Sequence, residues 1–197
     1  MADEHQPRPT TPSGVLLTVP GPRPARVAAQ AVAVAAVLSI PAAIAVDAVA
    51  AAVALLVLGG VTLARVLFLP ATLQALLGAA LIAAGWASAV GLYETVPWVD
   101  VPAHLFVNGL IAAALGIVML RGGLLADPAT RAGRAGIALT TASVGVALGV
   151  LWEIAEWAGY TFVDKSVYVS YGDTIGDLIA GGVGSAVAGL LVARWAR

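Results

Sequence analysis

Six ionisable side chains in this sequence form three pairs whose spacing suits shared chemistry. Asp100 and His104 are four residues apart, Glu153 and Glu156 three, Asp173 and Asp177 four. Residues three or four apart lie on one face of an α-helix, so each pair presents two ligand groups in one direction. Five carboxylates and one imidazole, with no Lys or Arg among them, must take up protons or bind a cation when crowded together. An oxygen-rich set with one His suits a divalent metal ion: Mg2+, Mn2+, Ca2+, Fe or Zn2+. A metal there would activate water or polarise a phosphoryl oxygen, with Glu153 or Glu156 as candidate general base.

The neighbours of these residues indicate where they face. Gly145 and Gly149 precede Glu153 and Glu156 on one stripe, and Gly181, Gly184 and Ser185 continue the stripe of Asp173 and Asp177. Asp100, His104, Asn108 and Ala112 make a third. Small residues mark close helix contacts in membranes, so the acids point between helices and away from lipid, with Asn108 in reach as an outer contact. Each residue also has a simpler role. Asp173 and Asp100 can cap helices, the two glutamates can be solvated at an interface, and His104 can be a packing residue. Six residues on three helices at one depth favour a shared site.

The elements that carry them are membrane spans. Of 197 residues, 60% are hydrophobic and 11% charged, with mean hydropathy +0.96. Soluble domains carry about 25% charged residues, so the reading is an all-α, polytopic transmembrane helical bundle. A net charge of −1 and the lack of a basic patch argue against a nucleic-acid partner. Cysteine is absent, which removes disulfides and thiolate ligands. Residues 1–25, rich in proline, read as a disordered cytoplasmic tail, and residues 26–197 as the membrane domain. Ala43-Ile44-Ala45 resembles a signal-peptide cleavage site, but the long proline-rich leader argues against cleavage. Six spans are expected, at about 27–46, 49–64, 71–92, 103–120, 135–158 and 174–193.

That count makes a consistent orientation. Arg8, Arg23, Arg26, Arg65, Arg121, Arg131, Arg134, Arg194 and Arg197 fall on one side and Lys165 on the other. The positive-inside rule then places both termini in the cytoplasm and the acidic pairs at the outer ends of the fourth, fifth and sixth spans. Tyr93, Trp98, Trp157, Tyr160, Tyr168 and Tyr171 form an outer aromatic belt, and Trp195 an inner one.

Three segments carry a family resemblance: Tyr93-Glu-Thr-Val-Pro-Trp-Val-Asp-Val-Pro-Ala-His104, Leu151-Trp-Glu-Ile-Ala-Glu-Trp157 and Gly172-Asp-Thr-Ile-Gly-Asp-Leu178. They resemble the YjdF-like bacterial inner-membrane proteins and, more loosely, VanZ-like proteins. The resemblance covers about residues 70–190, and Pro70–Gln74 fits it. It implies a multi-span protein of the inner (plasma) membrane with these acids as signature residues. It implies no activity.

Three functions follow as alternatives. One is a metal- or cation-binding membrane protein with the site at the outer leaflet. The second is an intramembrane metal-dependent hydrolase or transferase acting on a lipid or lipid-linked headgroup. His104-x-x-x-Asn108 weakly resembles intramembrane proteases of the CAAX type, but their adjacent-glutamate motif with a following Arg is missing. The third is a proton- or cation-coupled transporter, weakened by the lack of ionisable residues in the inner halves of the spans. The Gly-rich sixth span can serve internal packing or a homodimer.

Overall fold

A computed structural model of the chain describes residues 11–165, 167 and 169–196. Helices joined by turns and short loops make up the described residues, with no strand among them, and six helices are long and apolar enough to cross a bilayer. They fall into two compact units, divided between Val90 and Gly91.

The first unit contains α1 (Pro12–Leu17), α2 (Arg23–Ile44), α3 (Ala48–Val66) and α4 (Ala71–Ala89). α2, α3 and α4 pack against one another, and α1 lies on α3. Asp47 stops the apolar run and caps α3, accepting from the Ala50 amide at 2.7 Å, which accounts for the short break between the first two spans. Residues 11–25 differ from the disordered tail expected for 1–25, whose first ten residues lie outside those described. Thr11 caps α1, and Pro12 and Pro24 sit in the first turns of α1 and α2, where no backbone donor is needed. Val19 is buried against Ala29 and Ala71. The Ala71 amide donates to Pro20 O, and the buried Arg65 guanidinium donates to Leu16 O and Ala29 O, both at 2.9 Å. Composition signalled weak propensity, but anchoring to groups distant in sequence supplies the order.

The second unit begins at Gly91, whose left-handed backbone (φ 64°) ends α4 and turns the chain into α5 (Leu92–Thr95). A 3-10 turn (Pro97–Val99) leads into α6 (Asp100–Arg121), followed by α7 (Arg131–Phe162) and α8 (Tyr171–Trp195). Each of these three long helices packs on the other two. α6 starts three residues earlier than expected, so Asp100 lies in the first turn of the helix and not in a loop. Glycines bring backbones together. A Cβ on Gly109 would meet Gly184 O at 2.9 Å, and one on Gly145 would meet Ala112 Cβ at 2.6 Å and Ser185 Cβ at 2.7 Å. The packing residues of α7 recur every fourth position, through Ile137, Thr141, Gly145, Gly149 and Glu153, all buried. The small-residue stripes are therefore the inner seams of this unit.

Candidate metal centre

α6 and α8 begin, and α7 nears its end, at the same end of the second unit. Arg121, Arg131, Arg134 and Arg194 lie toward the other. Roughly 20 residues separate the arginines from the acids along each helix, about 30 Å at helical rise, which is one hydrocarbon thickness. The acids thus sit near one boundary of the apolar layer.

His104 is the hub. It is 7% exposed, and Glu153 and Asp177 are 9% and 3% exposed. His104 Nε2 lies 3.4 Å from Asp100 Oδ1 and 3.9 Å from Asp177 Oδ2, and Nδ1 lies 3.7 Å from Glu153 Oε1. Two triads have ligand atoms within 4.8 Å of one another: Asp100, His104 and Asp177, and His104, Glu153 and Glu156. The helices explain the convergence. Asp100 lies one turn before His104 on α6, Glu156 one turn after Glu153 on α7, and Asp177 enters from the first turns of α8. Asn108, one turn below His104, fills the space left by Gly149 and Gly181, so the glycine seams bring α7 and α8 close around α6 beneath the cluster.

Four of the five expected carboxylates are thereby gathered around the one imidazole. Asp173 is only half-buried and belongs to neither triad, although it interacts electrostatically with Asp100 and His104. Neither aspartate serves as a helix cap. Ser170 caps α8, accepting from the Asp173 amide at 3.3 Å, and α6 begins without a side-chain cap. Glu153 is not solvated at an exposed surface, and Glu156 is half-buried. Glu153 Oε1 is buried and has no hydrogen-bond partner, while Thr174 on α8 is positioned to donate to its carboxylate.

Tyr93 is the neighbour that spacing rules missed. Its aromatic type and interfacial position assign it to the belt with Trp98, Trp157, Tyr160 and Tyr171, which are exposed; Tyr168 lies outside the described residues. Tyr93 is instead half-buried on α5. Burial, reinforced by the charges of Asp100, Glu156 and Asp177, pushes its phenol above the ordinary range. It is therefore held as a neutral O–H beside the acids. Its only sequence signal is its place in the Tyr93–His104 segment.

The oxygen-rich donor set with one imidazole fits a hard or borderline divalent cation. The family described as Predicted membrane protein (DUF2238) matches residues 24–197, and the chain belongs to it. The match supports this broad membrane-protein family without singling out YjdF-like members. Neither the curated proteins nor the solved structures compared with the chain give a match.

Proposed function

We propose that this multi-pass membrane protein binds a divalent cation at the cluster of His104, Asp100, Glu153, Glu156 and Asp177, with Asp173 at the rim. One observation carries the reading: a buried, unpartnered Glu153 oxygen faces a buried imidazole amid further carboxylates. An uncompensated buried carboxylate is costly, whereas a cation shared by several helices offsets that cost and binds more weakly as protons compete at low pH. The arginine distribution supports an orientation with both termini cytoplasmic and the site facing outward, in a bacterial inner membrane.

Elemental mass spectrometry on the detergent-purified chain tests this, with Glu153→Ala and His104→Ala alongside and thermal stability recorded for all three. The expected result is near-stoichiometric metal in the wild type, lost in both variants. A metal-free wild type, with variants equally stable, would sink the reading and turn attention to proton-coupled transport.

The depth of the site favours a second reading, a metal-dependent hydrolase or transferase acting on a lipid or lipid-linked phosphate. Headgroup phosphates lie just outside the apolar boundary, and the neutral Tyr93 phenol is a donor suited to a phosphoryl oxygen. Glu153 or Glu156 would then serve as general base. Release of headgroup or phosphate that depends on Glu153 supports this, and a bound metal without turnover leaves a binding role.

A further inference from the structure

We infer that His104 meets the cation through Nδ1, together with Glu153 and Glu156, and that Asp100 is a positioning residue that accepts the Nε2 proton. The inference rests on the cation-site reading and divides the cluster into ligands and supports.

A neutral imidazole has one lone pair and one N–H, on opposite sides of the ring. Both sides of His104 face carboxylates, so the tautomer decides which side is a ligand. On the Nε2 side stand Asp100 at 3.4 Å, the shortest contact the ring makes to a carboxylate, and Asp177 at 3.9 Å. Asp100 is nearer its nitrogen than either Asp177 or Glu153 is to theirs, so it draws the proton to Nε2. Asp100 is moreover held one turn away on the same helix, so its contact survives small movements between helices. The proton's absence from Nδ1 leaves two acceptors facing each other at 3.7 Å, Nδ1 and the buried, unpartnered Glu153 Oε1. Metal–nitrogen and metal–oxygen bonds of about 2.0–2.2 Å place two ligand atoms roughly 3–4 Å apart around one ion, which is this spacing. Glu156 joins His104 and Glu153 in a triad whose ligand atoms lie within 4.8 Å of one another. Thr174 on α8 is placed to donate to the same carboxylate. The pattern is a carboxylate–histidine–metal relay, in which the outer carboxylate fixes the ring and raises its basicity.

The test uses the full chain in detergent, labelled with 15N-histidine, and Zn2+ alone as the probe. His104→Ala identifies the resonances of His104 against those of His5. Zn2+ is expected to shift Nδ1 while Nε2 remains protonated. Asp100→Ala should weaken Zn2+ binding about 10–100-fold, the usual cost of losing an outer partner. Asp100→Asn, which keeps an acceptor oxygen, should restore most of it, whereas Glu153→Ala should cost more. Zn2+ on Nε2 with the proton on Nδ1 would overturn the assignment, as would an Asp100→Ala loss equal to that of Glu153→Ala and not rescued by Asn. Both results leave the cation site standing. A wild type that binds no Zn2+ removes the site and the assignment together. Should Asp100→Ala fail to fold, the wild-type spectrum alone decides which nitrogen binds.

Discussion

The two units are each built on three membrane-spanning helices, yet they handle buried polar groups in opposite ways. In the first unit the charged group is supplied with partners from the backbone. Arg65 donates to Leu16 O and Ala29 O, Gln74 donates to Leu69 O, and Trp86 donates to Ser39 Oγ. The group left over is a neutral amide oxygen on Gln74. In the second unit the carboxylates look toward one another and toward a single imidazole, and the oxygens left over are the Thr141 hydroxyl and a carboxylate oxygen of Glu153. A neutral orphan costs little beside a charged one, so of the two units it is the second whose buried groups could hold a metal ion.

Their seams differ in the same sense. A Cβ on Gly60 would meet the tip of Leu81 at 2.8 Å, and one on Gly85 the methyls of Val53 and Val57 at 3.2 Å. These are side-chain ends, and they can move. Gly109, Gly184 and Gly189 instead face backbone, of Gly184, Leu105 and Ala138 respectively. Ligands on three helices hold a common geometry only if the helices cannot slide, and backbone-to-backbone contact provides that. It also uses Gly184 and Gly189 inside the unit, while Gly181 makes room for the Asn108 side chain and Gly172 and Gly176 are left open.

The sharpest way to break the comparison is the same substitution in both seams. Gly184→Ala should destabilise the protein by about 3 kcal/mol, because only the backbone of α6 can yield, and should weaken cation binding with it. Gly60→Ala should be neutral or stabilising by up to about 1 kcal/mol, since alanine favours a helix. Unfolding in mixed detergent together with cation titration measures both. Equal costs would show that the two seams are alike.

A smaller effect is expected where the first unit holds its charge. Arg65→Leu removes two charge-assisted hydrogen bonds and should cost about 2 kcal/mol. Limited proteolysis should then cut residues 11–22 faster, while metal content stays at the wild-type level. Loss of metal in this variant would couple the site to the first unit and end the division of labour. Smallest is the capping of α3. Asp47→Ala should lower stability by about 1 kcal/mol, visible as a modest drop in melting temperature with cation affinity unchanged.

Much of this was legible in the sequence because a bilayer leaves few options. A run of about 20 apolar residues must become a helix to satisfy its backbone, so all six spans are found near their expected places. The seam was legible too, since Gly145, Gly149, Gly181, Gly184 and Ser185 share faces with the acids. Boundaries were harder. Asp100 entered the helix because the Pro97–Val99 turn starts it early, and Ser170 displaced Asp173 as cap because either residue type suits that position.

What the sequence could not decide were distances between elements. Whether residues 12–22 are ordered depends on Arg65 and Ala71, about 50 residues away, and local composition carries no trace of that. Spacing placed Asp100 beside His104 and Glu153 beside Glu156, because both pairs are one helical turn apart. That Nε2 faces two aspartates and Nδ1 a glutamate, that Asp173 falls to the rim, and that Tyr93 leaves the aromatic belt were settled by how closely the glycine seams let three helices approach. Covalent periodicity fixes direction along one helix, and only packing fixes the angle and depth at which helices meet.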